Sequence, residues 1–85
     1  MEEDLFIPSE DKLEINLHDM HLEEAIYYLD KLIDTAPSNI KEIVVVHGYK
    51  KGTTLLNMVR KDYKHPKLMK KVIPYNKGIT LLFLK

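Results

Sequence analysis

Residues 43–46 read Ile-Val-Val-Val, and the run stops at His47-Gly48. β-Branched side chains are stiff in a helix and pack well on a pleated surface, so four in succession predict a strand. Both alternating faces are apolar, which places the strand inside a sheet rather than at its border. A chain of 85 residues has room for one core, so the remaining elements must be arranged around this strand.

Leu13, Ile15 and Leu17 alternate with Glu14, Asn16 and His18, the period of a half-buried strand. From Leu22 the period changes: Leu22, Ala25, Ile26, Leu29, Leu32 and Ile33 fall on one helical stripe. Glu23 and Glu24 suit the positive N-terminal end of that helix, and Ala36-Pro37-Ser38-Asn39 ends it. His21, with Glu24 three positions on, stands where an imperfect capping box belongs. A second helix is expected from Thr53 or Thr54, with Leu55, Leu56, Val59 and Tyr63 inward. Asn57, Arg60, Lys61 and Lys64 share its other side at helical spacing, and His65-Pro66 closes it.

Two last strands, about Met69–Tyr75 and Ile79–Leu84, flank the turn residues Asn76-Lys77-Gly78 and predict a hairpin. The order βαβαββ with right-handed crossovers implies a two-layer α/β sandwich, a four-stranded mixed sheet with two helices on one face. The domain is expected over residues 13–85, after an acidic N-terminal arm of residues 1–12. In the last strand Ile79, Leu81 and Phe83 are expected to face the helices. Leu82 and Leu84 then lie on the open face and need cover, from Leu5-Phe6-Ile7 of the arm or from a partner.

There is no cysteine, which removes disulfides and thiolate metal sites. No stretch is apolar enough for a membrane span, so no membrane partner is expected and a cytoplasmic domain is the default. The formal charge of zero conceals a division. Residues 1–40 carry eleven acidic side chains against two basic ones, and residues 41–85 reverse those numbers. A basic second half suggests a surface for an anionic partner, unless the two halves simply attract each other within the fold.

If the first two strands are parallel, His18 and His47 both lie at their carboxyl ends, where ligands gather in open α/β sheets. Between His47 and the second helix runs Gly48-Tyr49-Lys50-Lys51-Gly52. Glycines let backbone amides approach an anion and lysines supply the counter-charge, although the spacing is not that of a nucleotide-binding P-loop. Taken singly, each feature has a plainer explanation as a surface histidine, a turn glycine or a solvated lysine.

The stretch Ile15-Asn16-Leu17-His18-Asp19-Met20, followed by Glu23-Glu24-Ala25, resembles the Leu-Asp-Leu-His-Gly-Met opening of Smr (small MutS-related) domains. His47-Gly48-Tyr49-Lys50-Lys51-Gly52 resembles their His-Gly-x-Gly-x-Gly loop, and the resemblance extends over residues 13–85. It implies a two-layer sandwich similar to the C-terminal domain of bacterial translation initiation factor three. It also implies nucleic-acid binding and, in several family members, nicking of DNA or cleavage of RNA. Three positions depart from the pattern: Asn16 replaces an aspartate, Asp19 a glycine and Lys50 a glycine. These weaken the expectation of cleavage more than that of binding.

The expected site therefore has His18 and His47 as catalytic candidates. Gly48, Lys50, Lys51, Gly52, Arg60, Lys61 and Lys64 are expected to hold the backbone phosphates of DNA or RNA. No cofactor is implied, and Asp19 alone is a poor carboxylate supply for a metal. A histidine pair suits RNA, which brings its own 2′-hydroxyl nucleophile, better than DNA. The alternatives are a non-catalytic nucleic-acid-binding module and a protein-interaction domain working in a larger assembly or homo-oligomer.

Overall fold

The computed structural model of the chain describes residues 11–85. The arm expected at residues 1–12, and with it the cover by Leu5-Phe6-Ile7, lies outside them except for Asp11 and Lys12. Strand β1 (Lys12–Asn16) is followed by helix α1 (Leu22–Thr35), strand β2 (Glu42–Val46) and helix α2 (Thr54–Asn57). A π-helical turn, Met58–Asp62, continues α2, and strands β3 (Leu68–Val72) and β4 (Ile79–Leu84) complete the chain. The sheet order is β1-β2-β4-β3. β1 runs parallel to β2, while β4 pairs antiparallel with both β2 and β3. The strand rich in β-branched residues is therefore central, and the mixed four-stranded sheet with two helices is the one that the patterning implies.

One core serves both helices. Ala25, Leu29 and Ile33 of α1 and Met58, Val59 and Tyr63 of the second helical segment join Ile43, Val45, Leu82 and Leu84 of the sheet. Ile43 pairs with Leu82 and Val45 with Thr80, so these side chains project to one side. This reverses the expected orientation of β4: Thr80, Leu82 and Leu84 are buried, while Ile79, Leu81 and Phe83 are only half-buried. Alternation divides a strand into two faces without saying which is inward, and both faces of β4 are apolar apart from Thr80. Thr80 faces inward because two polar partners meet it there, as described below.

The second helix departs from its expected form too. The Asn57 amide donates to the Thr53 carbonyl four residues back, whereas the Tyr63 amide donates to Met58 five residues back, at 2.7 Å. That extra residue widens the turn. Met58 becomes a core residue, and Arg60 swings away from the solvated stripe with Lys61 and Lys64 on which it was expected. Tyr63 locks the segment to α1 by donating its hydroxyl hydrogen to Asp30 at 2.6 Å. Burial first, and then the Asp30 carboxylate, push the Tyr63 hydroxyl well above its usual pKa. At the start of α1, His21 occupies the cap position without a side-chain capping bond.

The inverted facing of β4 has a measurable consequence. Leu82→Ala should lower the unfolding free energy by about 2–5 kcal/mol and Leu81→Ala by clearly less. Urea denaturation followed by circular dichroism measures both, and equal losses would contradict the burial described.

Candidate nucleic-acid interface

The carboxyl end of β1 turns sharply. The Leu17 amide pairs with the Val46 carbonyl, and Met20 donates back to the Leu17 carbonyl at 3.0 Å. His18 and Asp19 form the tip of that turn. Asp19 has φ 69°, the left-handed region that glycine enters most easily and Asp or Asn tolerates. The glycine of the resembled motif thus has a backbone reason, and Asp19 meets it at some strain. The Asn16 side-chain oxygen accepts the His18 backbone N–H at 2.8 Å. Asparagine serves for this bond as well as aspartate would, since an oxygen acceptor suffices. Asn16 thus holds the turn, and it is Asp19 that approaches the ring, with Oδ2 3.3 Å from His18 Nδ1. Lys51 stands 3.7 Å from the other Asp19 oxygen.

The loop after β2 meets the β3–β4 connection. Both the His47 and Gly48 amides donate to the Gly78 carbonyl, at 2.9 and 3.0 Å. Gly48 has φ 73°, and a Cβ there would stand 2.8 Å from His18 Cδ2. The His18 ring therefore lies against the loop backbone in space that no larger residue leaves open. Lys50 does not share the positive φ of Gly48 and Gly52, so its replacement of the motif glycine carries no such strain.

The two candidate imidazoles differ in their surroundings. The His18 side chain is about 50% exposed, whereas His47 as a residue is only 3% exposed. His47 Nδ1 lies 2.9 Å from the Gly48 carbonyl and Nε2 lies 2.8 Å from Thr80 Oγ1. A carbonyl only accepts, so Nδ1 carries the proton and Nε2 accepts the Thr80 hydroxyl hydrogen. Thr80 Oγ1 in turn accepts Arg60 Nε–H at 2.8 Å, and a further Arg60 nitrogen donates to the Ile79 carbonyl at 2.9 Å. Arg60 is thus tied beneath the β3–β4 connection. Burial lowers the His47 pKa, the Gly48 bond opposes this, and the Arg60 charge adds to it.

Three surfaces hold the expected site residues other than Arg60, which is engaged with Thr80 and the Ile79 carbonyl. A cavity of about 170 Å³ is lined by His18, Asp19, His47, Tyr49, Lys51 and Gly52. An adjoining groove of about 260 Å³ is lined by His18, Gly48, Tyr49, Lys50, Asn76 and Ile79 among others. His18, His47 and the Gly48–Gly52 loop therefore share one rim of the sheet. Lys61 and Lys64 do not reach it; they line a separate groove with His65, Met69, Lys70 and Lys71. Burial lowers the Lys71 pKa there, Asp62 counteracting and Lys64 reinforcing the effect. Among the described residues no cluster of three or more His, Cys, Asp or Glu side chains forms a metal-ligand set, and no helix is long and apolar enough to cross a membrane.

Sequence reasoning passed over Thr80 and Tyr49 as members of the site. A lone threonine among apolar residues in a strand was the available signal for Thr80, because a buried hydroxyl requires partners.

A mixed four-stranded α/β domain with a histidine turn and a glycine-bounded basic loop on one rim defines a recognisable class. The chain belongs to the Smr domain family, whose model matches residues 15–79. It is 38% identical over 84 residues to the endonuclease MutS2 of Finegoldia magna. That alignment takes in 91% of this chain and 10% of the relative, so the chain spans about a tenth of that protein's length. The fold is similar to the crystal structure of the Smr domain of Thermus thermophilus MutS2, with a TM-score of 0.66 and 19% identity. The match covers 85% of this chain and 96% of the other, and it is a likeness of fold.

The buried His47 predicts a pH dependence. In the unfolded chain it binds a proton near its ordinary pKa of 6.5, while the folded chain keeps it neutral to lower pH. Its stabilising effect is complete above that value and declines as pH falls below it. Urea unfolding between pH 7.5 and 5.5 should show this loss, with a slope no steeper than about 1.4 kcal/mol per pH unit, the limit for one proton. His47→Gln should flatten it.

Proposed function

We propose that this Smr domain binds nucleic acid through the phosphate backbone at the rim, with RNA favoured over DNA. The observation that carries the reading is the exposed His18 imidazole, seated against Gly48 and sharing one cavity with Asp19 and Lys51. Lys50 and Lys51 supply charge for a phosphate, and Gly48 and Gly52 leave the loop backbone bare enough for close approach. The endonuclease named among the relatives supports the same reading. Lys61 and Lys64 serve a longer strand on their own basic groove rather than the rim.

Cleavage of RNA at this rim follows a defined course. His18 takes the 2′-hydroxyl proton, the 2′ oxygen attacks phosphorus, and the bond from phosphorus to the 5′ oxygen breaks. The 5′ oxygen leaves with the proton that His18 returns, giving a 2′,3′-cyclic phosphate and a 5′-hydroxyl end. His47 has both nitrogens engaged within the fold, so His18 acts alone, and slow cleavage is the expectation. The role left to His47 is to hold the loop in shape.

A second reading, capture of a partner protein or of another copy, draws on the half-buried apolar face that includes Val44, Val46, Leu81 and Phe83. It predicts association insensitive to salt and no binding of labelled nucleic acid.

Binding and cleavage of labelled RNA and DNA, single-stranded and duplex, with and without EDTA, separate these readings. His18→Ala should bring RNA cleavage down to background while keeping most of the affinity. The double variant Lys50→Ala, Lys51→Ala should weaken binding and reduce the slope of log K against log salt by about one to two. Absence of binding to every nucleic acid at low salt would overturn the proposal.

A further inference from the structure

The two cavities of the rim lie on either side of a ridge. His18 and Tyr49 are the residues that line both. The cavity adds the charged pair Asp19 and Lys51 with His47, Gly52 and Thr54, beside the apolar Met20 and Leu55. The groove adds Val46, Gly48, Lys50, Asn76, Gly78 and Ile79, and its walls are apolar or backbone apart from Lys50, Asn76 and the shared His18 and Tyr49. Its floor is well built. Gly48 and Gly78 approach so closely that a Cβ on Gly78 would lie 3.6 Å from Gly48 Cα, and Gly78 N–H donates to Asn76 Oδ1 at 2.8 Å. The segment that leads into Asn76, and Tyr49 in the groove wall, display aromatic and apolar surface that the core does not use. Tyr75, which precedes Asn76, is fully exposed, Ile73 is 60% exposed, and Tyr49 is 41% exposed.

We infer that the rim takes an unpaired nucleotide, its base in the groove among Tyr49, Asn76 and Ile79, its phosphate across the ridge at Lys51, and a neighbouring base stacked on Tyr75. This rests on the nucleic-acid reading above and narrows it to single-stranded substrate. The chemistry of the two sides sorts a nucleotide into its parts. A flat base suits an apolar groove with exposed aromatic rings, because every base offers a π-face for stacking. The Asn76 side-chain NH2 offers donors to a base edge, its oxygen being held by Gly78 N–H. The phosphate suits the side that holds Lys51, with Lys50 at the groove mouth. His18 on the ridge then faces the sugar that joins the two, where a 2′-hydroxyl lies in RNA. A duplex keeps its bases paired and stacked, so it offers this groove nothing to insert, and only unpaired segments present splayed bases. Charge complementarity favours the same occupant, since Lys51 lines the cavity and Lys50 the groove.

The test uses fluorescence anisotropy with the whole chain and labelled 12-nucleotide probes at fixed salt: single-stranded RNA, single-stranded DNA and the matching RNA duplex. The single strands should bind at least tenfold tighter than the duplex. Tyr75→Ala should weaken single-strand binding roughly 5- to 100-fold, the range of one lost base-stacking contact. It should leave the salt slope unchanged, because no phosphate contact is lost, and Tyr75→Trp should restore affinity. Tyr75 is fully exposed, so its replacement does not threaten folding, and unchanged circular dichroism checks this. Equal affinity for duplex and single strand, with Tyr75→Ala and Tyr49→Ala binding like wild type, would overturn the inference. If the Lys50→Ala, Lys51→Ala variant were weakened in that same experiment, phosphate binding at the rim would stand without the base groove. Absence of binding to all three probes would overturn both proposals together.

Discussion

Thr80 holds together the part of the molecule on which the rest depends. Its hydroxyl receives Arg60 Nε–H and gives its own hydrogen to His47, which passes a hydrogen bond on to the Gly48 carbonyl. The direction of every bond follows from the one group that can only accept. The chain runs from the π-helical turn through β4 to the loop after β2, joining three segments distant in sequence. Thr80 and His47 are buried, and such groups are costly unless paired. No buried side-chain polar atom among the described residues lacks a partner. The low dielectric that penalises a missing bond also makes this complete chain rigid.

That rigidity carries over to the rim. The loop held by His47 and Gly78 provides the bare backbone against which His18 rests, and Asn16 fixes the turn that presents His18. The two motif histidines thus have unlike surroundings: one imidazole braces the loop from beneath, and the other stands on its edge in solvent. A family motif with two histidines reads naturally as a catalytic pair, yet environment decides which ring is free to exchange a proton. The π turn belongs to the same arrangement. It spends one extra residue to bring Arg60 under the β3–β4 connection, where its charge helps keep His47 neutral.

Much was legible in advance because the local signals were strong. The β-branched run ending at His47 marked a central strand, the change of period at Leu22 marked α1, and Asn76-Lys77-Gly78 marked the hairpin. The meeting of His18, His47 and the basic loop at one rim followed from β1 and β2 being parallel. The facing of β4 was not legible, because apolar residues occupy both of its sides and periodicity has no sign. Arg60 was misplaced because an α-helical wheel assumes 3.6 residues per turn, and the widened turn breaks that count. The different surroundings of the two histidines could not be read from spacing, since burial is a property of what packs on top.

Sequence alone determined the order of elements, the central strand, the basic loop and the family, all of which rest on neighbours in the chain or on short motifs. Tertiary structure decided which face of β4 became core, which imidazole stayed in water, and where the Arg60 guanidinium went. Those outcomes depend on contacts between β4, β2 and the second helix. Residues about 20 to 33 positions apart satisfy one another's hydrogen bonds there, and no local pattern records such a pairing.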